Sequence, residues 1–452
     1  MRKKRMNLST THIIMLSFMV ALLVGSLLLS LPISSADGRG VKYIDALFTA
    51  TTATCVTGLV VVPTVSAWSI FGQIVILFLI QIGGLGLITI LAGVSAFFHK
   101  KMGIGDSVLL QDAFNISSLS GITTFVKKVL YCTLVIEALG ALLYIPVFVN
   151  DFGTRGIWIS IFTSVSAFCN AGIDIIAADS LIGYNTNIFI NIVTCALIII
   201  GGIGYIVWWD IWRIVKKFKT MGVKAVKVLT LHSKIAIVTT LILIVLGAFL
   251  IAFFEWNNPL TIKELSFGEK IMSSLFQSVT TRTAGFATLP QDNLSNATTF
   301  VCLILMFIGG SPVGTAGGVK TVTIAVLICS AYSTVRGKNS VTLFGRNVSH
   351  DSVNRSLAVV FMSAFIVFAS TVAISVTTSA PFEDIIFEIV SATGTVGVTR
   401  GLTPNLDNLS KLIVAFTMYL GRIGPISLGF ALNVRKEKKN IVAYPYEDVR
   451  IG

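Results

Sequence analysis

The stretch 391-SATGTVGVTRGLTP-404 separates two apolar runs and is itself too short and too polar to be a third. It sets one glycine, Gly397, between Val396 and Val398, just after Thr393-Gly394-Thr395. Such a run offers little side-chain chemistry and much backbone. The fold turns on whether it stands alone or has relatives in the same chain.

It has three. The four runs are FTATTATCVTGL (48–59), FTSVSAFCNAGI (162–173), LFQSVTTRTAGF (275–286) and FEIVSATGTVGV (387–398). Each ends in one glycine followed by an apolar residue. These glycines, Gly58, Gly172, Gly285 and Gly397, lie 114, 113 and 112 residues apart. A second series keeps step: IGGLG (82–86), IGGIG (200–204), IGGSPVG (308–314) and LGRIG (420–424). Its members follow the first series by 24 to 29 residues. Two glycine series sharing one period mark a fourfold internal repeat.

Composition supplies the solvent. Of 452 residues, 54% are hydrophobic and 12% charged, with mean hydropathy +0.86. A soluble domain carries about twice that charged fraction. Apolar runs long enough to span a bilayer lie near 12–31, 70–97, 128–149, 185–212, 234–254, 299–325, 356–378 and 408–432. The semi-polar runs near 44–57, 157–171, 269–284 and 382–396 are too short to cross and read as re-entrant segments. The first span follows Arg2-Lys3-Lys4-Arg5 without an A-x-A cleavage pattern, so it is expected to be retained.

The expected class is an all-α polytopic membrane protein: eight transmembrane helices, and four helix–re-entrant loop–helix repeats in a pseudo-fourfold ring around a central pore. The expected boundaries are repeat one at 12–97, two at 128–212, three at 234–325 and four at 356–432. Between and around them lie an N-terminus at 1–11, linkers at 98–127, 213–233 and 326–355, and a tail at 433–452. These connections and tails hold 22 of the 34 Lys and Arg, which places them and both termini in the cytoplasm of a multi-pass plasma-membrane protein. The opposite loops hold 13 acidic residues against 8 basic ones and would attract an incoming cation.

Other chemistries find no support. The six Cys form no CxxC or Cys/His cluster, so disulfides and structural zinc are not expected. The four His lie at the cytoplasmic ends of the spans, and no nucleophile–base pair occurs at membrane depth, so no enzyme is expected.

The repeated semi-polar runs suit a cation. Non-helical backbone at membrane depth survives only when buried in protein or lining a wet cavity. A short helix entering from outside ends with its carbonyls, and their partial negative charge, near mid-membrane. The next carbonyls can replace an ion's hydration shell. Thr395-Val396-Gly397-Val398 looks like the TVGYG filter of potassium channels. The candidate filter is therefore Val56, Thr57, Gly58, Leu59; Asn170, Ala171, Gly172, Ile173; Thr283, Ala284, Gly285, Phe286; and Thr395, Val396, Gly397, Val398. No carboxylate sits in these cores, which favours a monovalent ion.

The four repeats, the single filter glycine in each, FIGGSPVGTAGGVKT (307–321), SVTTRTAGF (278–286), LGRIGP (420–425) and the tail YPYEDVRIG (444–452) resemble the Trk/Ktr/HKT superfamily of potassium transporters. The likeness is strongest to the bacterial Ktr membrane subunit and covers essentially the whole chain. It implies potassium uptake, often stimulated by sodium, by a homodimer with one pore per subunit. It also implies a separate cytosolic ring of nucleotide-binding regulatory subunits, with any nucleotide on that partner. Sodium-selective plant members resemble this pattern with Ser at the first filter glycine; Gly58 here argues for potassium. The four filters are not identical, unlike those of tetrameric channels.

The resemblance also makes Gly309, Gly310, Ser311, Pro312, Gly314, Thr315, Gly317 and Gly318 a flexible intramembrane gate loop beneath the filter. Pro and glycines in an otherwise spanning run break a helix there on any reading. A phosphate loop is disfavoured, because Val319 separates Gly318 from Lys320. Arg422 stands where repeats one and two have Gly84 and Gly202. A cation within a span faces a cavity or the protein interior; the expectation is an electrostatic barrier that also ties down the loop. Lys320 is expected to snorkel, Glu137 to hold a Ser, Thr or backbone amide, and Arg282 to be scaffold paired with an acid such as Asp292. The competing functional class is a sodium- or proton-coupled carrier with alternating access. An even number of crossings per repeat gives all four one orientation, which favours a fixed pore.

Overall fold

The computed structural model of the chain describes residues 10–86, 89–90, 122–338 and 340–424. Most of the segments expected at 1–11 and 98–127, the ends of repeats one and four, and the tail 433–452 lie outside the described residues.

The first unit is α1 (Thr10–Leu29), α2 (Tyr43–Cys55) and α3 (Ile70–Leu85). The second is α4 (Ile122–Phe152), α5 (Arg155–Cys169) and α6 (Ile188–Gly202), continued by α7 (Tyr205–Met221). The third is α8 (Leu231–Glu255), α9 (Phe267–Thr280), α10 (Asn296–Phe307) and α11 (Thr321–Val335). The fourth is α12 (His350–Thr377), α13 (Phe382–Gly394) and α14 (Asn408–Ile423). A two-stranded hairpin, Val341–Leu343 with Arg346–Val348, precedes α12. The chain is thus a mostly helical membrane protein.

Among the described residues, the helices long and apolar enough to cross a membrane alone are α1, α4, α8 and α12, the first of each unit. They are apolar on almost every side, and their outward residues stay uncovered: Phe361 is 71% exposed and Phe368 68%. The interior is the more polar part. Ser164 and Ser166 on the short helix α5, Thr280 on α9 and Ser391 on α13 are fully buried. This inversion suits a chain whose solvent is lipid outside and backbone-rich polar structure inside.

Each third helix starts on a side-chain cap. Ser69, Asn187, Ser295 and Asp407 accept from the backbone N–H of Gly72, Ile190, Thr298 and Ser410, opening α3, α6, α10 and α14. Each of these helices then packs on the short helix of the following unit: α3 on α5, α6 on α9, α10 on α13, and α14 back on α2. The contacts therefore close on themselves.

The helices of the runs 70–97, 185–212 and 408–432, expected to be continuous, stop early, and 299–325 breaks where its Pro and glycines lead one to expect. α3 stops at Gly86 (φ +82°) and α14 at Gly424 (φ +89°). Gly204 (φ +95°) turns α7 away from α6 by 101°. Residues 308–320 separate α10 from α11. With ψ of 132°, 140° and 138°, Gly86, Gly204 and Gly424 occupy a region closed to residues with a Cβ. The linker boundaries shift in consequence. α7 runs into the expected linker 213–233, and α11 and the hairpin fill much of 326–355.

Candidate functional site

The four short helices end alike. Val56, Asn170 and Thr395 cap α2, α5 and α13 in the left-handed conformation, at φ 54°, 60° and 51°. In the third unit Thr283 takes φ 73°. Two residues later each unit turns again, at Gly58, Gly172, Gly285 and Gly397, with φ 103°, 62°, 85° and 98°. Between the two turns, the N–H of Thr57, Ala171 and Val396 reaches back to Thr52, Ser166 and Ser391 O at 2.8 Å each. Ala284 N–H reaches Thr280 O at 2.9 Å. The carbonyls beyond are thereby released from the helix.

These turns meet. A Cβ on Gly58 would lie 2.6 Å from Ala171 O, one on Gly172 2.5 Å from Ala284 O, and one on Gly285 2.6 Å from Val396 O. A Cβ on Gly397 would collide with Thr57 O, which returns the circuit to its start. Each glycine therefore abuts the carbonyl preceding the next glycine, in the order one, two, three, four, one. The structure brings all sixteen sequence-predicted filter residues to this centre. Their side chains are buried, so what they present to one another is largely backbone.

Three supports had little prominence in the sequence. Thr52 Oγ1 accepts from Gly58 N–H at 2.9 Å, and Ser391 Oγ from Gly397 N–H at 3.1 Å. Thr280 Oγ1 donates to Phe286 O at 2.6 Å. The available signal was a Ser or Thr five or six residues before the glycine. Behind the fourth turn, buried Glu388 accepts from Thr399 Oγ1 at 2.6 Å and from Thr403 Oγ1. Arg400 clamps the same loop through Asp384 at 2.7 Å and Thr299 Oγ1 at 2.9 Å.

All four glycines line one cavity of about 370 Å³, together with Asp174, Asp179 and Asp292. The site is therefore open on one side to a chamber bearing carboxylates. At the centre itself, the buried hydroxyl oxygens of Thr57, Thr283 and Thr395 have no hydrogen-bond partner among the described residues.

The loop 308–320 lies against the turns from another side: a Cβ on Gly317 would run into Thr395 Oγ1. The loop is densely tied. Ser311 N–H donates to Gly202 O at 2.9 Å, Thr315 N–H to Gly201 O at 3.2 Å, and Thr315 Oγ1 to Phe168 O at 3.0 Å. Ser311 Oγ pairs with Thr321 Oγ1 at 3.0 Å. Arg422 donates to Thr315 O at 2.6 Å through one terminal nitrogen and to Gly83 O through the other. Gly309, Gly310, Ser311, Pro312, Gly314, Thr315, Gly317, Gly318 and Arg422 are thus one hydrogen-bonded cluster and its immediate neighbours.

Three expectations need correction. Lys320 does not snorkel; its Nζ turns into the loop and donates to Ala316 O at 2.7 Å and to Gly317 O at 3.3 Å. Arg282 donates to Gly309 O at 3.3 Å, while Asp292 faces the cavity instead. Glu137 accepts from Gln81 Nε2 at 2.6 Å and from Cys169 Sγ at 3.7 Å, side chains of different units that no sequence spacing connects.

A family model described as "Cation transport protein", TrkH, matches residues 2–444. The "Potassium/sodium uptake protein NtpJ" of Enterococcus hirae is 38% identical over 457 residues, spanning 100% of this chain and 99% of that one. The "Ktr system potassium uptake protein B" of Bacillus subtilis is 37% identical, over 98% of this chain and 96% of that one. Among solved structures, the potassium transporter TrkH from Vibrio parahaemolyticus superposes with a TM-score of 0.75 at 18% identity, covering 96% and 86% of the two chains, a likeness of fold. With the family model spanning nearly its full length, this chain belongs to the TrkH family of cation transport proteins.

Proposed function

We propose that the protein takes up potassium across the bacterial plasma membrane through a channel-like pore, and that the circuit of four glycine turns is its selectivity filter. The observation that carries this reading is the closed order of contacts, in which every glycine abuts the carbonyl before the next. A ring of such carbonyls replaces the hydration shell of a monovalent cation. Asp174, Asp179 and Asp292 in the adjoining chamber concentrate cations before entry. The unpartnered hydroxyls of Thr57, Thr283 and Thr395 offer further neutral oxygens. The names of the relatives, which specify potassium or potassium and sodium uptake, support the choice of ion.

In this reading the units are four pseudo-symmetric repeats, loop 308–320 is the gate, and Arg422 is both its latch and an electrostatic barrier. The loop's hydrogen bonds describe a closed position, and conduction requires that some of them break. The driving force is the inside-negative potential, worth about 2.3 kcal/mol per charge per 100 mV. Both termini face the cytoplasm, as the Lys and Arg distribution requires. The Ktr-named relatives support a partner subunit. We take it to be a cytosolic nucleotide-binding ring acting on a homodimer of this chain, with sodium as an activator.

The test is growth and uptake at low potassium in cells lacking their own potassium systems, comparing wild type with Gly58→Ser. Wild type is expected to rescue growth, and the variant to lose discrimination against sodium. A well-inserted wild type that gives no rescue would sink the function. Unchanged sodium discrimination in the variant would sink the filter assignment.

A further inference from the structure

We propose that α7 is an interfacial helix that binds acidic phospholipid headgroups and, through its first backbone N–H, reports their presence to loop 308–320. The gating consequence rests on the reading of that loop given above; the lipid site stands without it.

α7 leaves α6 at 101°, and on this proposal it runs along the membrane face rather than through it. Its first turns are fixed: Tyr205, Val207 and Asp210 are buried. Asp210 Oδ2 accepts from Thr230 Oγ1 and Ser233 Oγ at 2.6 Å each, fastening α7 to α8. Beyond Asp210 the helix is uncovered. At 100° per residue, Ile211, Val215 and Phe218 share one side with Trp212 at its edge, and all four are exposed. Arg213, Lys216 and Lys217 occupy the opposite side. Lys216 Nζ lies 5.4 Å from the Trp212 ring, at the boundary between the two.

A helix with a broad apolar face, an aromatic edge and a cationic back beds into the headgroup boundary. Charge decides which lipid. Residues 211–230 carry six Lys and Arg and no Asp or Glu; Arg213 pairs with Asp210 at 3.4 Å, and the five lysines leave a surface complementary to a net-negative headgroup rather than to a neutral zwitterionic one. The apolar face also needs acyl chains, which a purely polar partner surface does not supply.

The lever is short. Tyr205, the first residue of α7, donates its N–H to Val313 O in the loop at 2.8 Å. Gly201 and Gly202, just before the bend, accept from Thr315 and Ser311 of the same loop. A Cβ on Gly204 would meet Pro312 O, so the bend and the loop are in contact as well as bonded. Seating α7 on the headgroups fixes the direction of the Tyr205 N–H. Releasing it frees Val313 O.

Two readouts on the full chain in phosphatidylcholine vesicles, with or without phosphatidylglycerol, test this. Lipid proximity is read from the Trp212 fluorescence, wild type minus Trp212→Phe, quenched by brominated phosphatidylglycerol or brominated phosphatidylcholine. Selective quenching by the acidic lipid is expected, and Lys216→Gln with Lys217→Gln should weaken it about 25-fold, at about fivefold or 1 kcal/mol per cation. Equal quenching by both lipids overturns the site, as does a double variant that alters only the response to a cytosolic protein partner. Potassium flux should respond to phosphatidylglycerol in wild type and not in the double variant. Selective binding without that response overturns the lever. Absence of flux under every condition counts against the transport reading, while the quenching still decides the lipid site.

Discussion

Val56, Thr283 and Thr395 are β-branched residues held at φ 54°, 73° and 51°. Each such residue costs about 1–3 kcal/mol and persists only where its surroundings over-determine it. Here the N–H of the next residue, bonded back to the carbonyl of Thr52, Thr280 or Ser391 in the helix, and the adjoining glycine fix the turn from both sides; Val313 in the neighbouring loop, at φ 61°, is held in the same region. Arg422 is the other decisive residue. Its planar guanidinium bridges Thr315 O in the loop and Gly83 O in the first unit, a fork that an ammonium cannot reproduce. Arg422→Ala is expected to raise potassium uptake about tenfold, the loss of about 1.4 kcal/mol of closure, with Arg422→Lys in between. Uptake at or below wild type, at equal membrane expression, would contradict the latch.

At the scale of elements, the second glycine series has two separate duties. The first glycine of each motif lets a helix approach a carbonyl closely: a Cβ on Gly83, Gly201 or Gly421 would strike Thr54 O, Phe168 O or Thr393 O. Those carbonyls lie four residues before the filter glycines of the same units. In the first, second and fourth motifs the last glycine ends the helix with a conformation that only glycine adopts. Gly201→Ala is therefore expected to lower stability by about 1–3 kcal/mol, read as a drop in the thermal transition in detergent. Uptake per folded molecule should change less than the yield; the opposite pattern would place Gly201 in conduction rather than packing. Much of this was legible beforehand. Spacing alone located the four turns and the four motifs, because backbone geometry that requires glycine leaves a mark in the sequence. The breaks at Gly86, Gly204 and Gly424 were missed, since apolar residues continue past them and hydropathy does not register φ. The partners of Glu137, Lys320 and Arg282 were missed because Gln81 reaches Glu137 from another unit, while Ala316 O and Gly309 O are backbone carbonyls freed by the irregular loop, and no local pattern encodes either.

At the scale of the whole molecule, the units form a circuit at two depths: glycine against carbonyl at the centre, third helix against next short helix around it. On the proposed reading such a frame provides one fixed path. A fixed path lets potassium accumulate only to equilibrium with the potential, about 50-fold at 100 mV inside negative. Accumulation in vesicles at a clamped potential checks this. A ratio well above that value would demand coupling to a second ion and favour an alternating carrier.

The circuit of glycines also has a direction. Gly58 leans on the second unit, Gly172 on the third, Gly285 on the fourth and Gly397 on the first. Damage at one position thus falls first on one particular neighbour, although Gly58 and Gly285 each come near a second unit as well. Alanine at Gly58 and Gly172 together disturbs a carbonyl and the glycine that depends on the same strand, so the pair is expected to depart from additivity. A Cβ on Gly285 would also come within 3.3 Å of Thr57 O, so Gly58 with Gly285 is expected to depart from additivity as well, by less because the contact is longer. The four copies then cannot drift independently; a change tolerated in one sets the terms on which the next may vary.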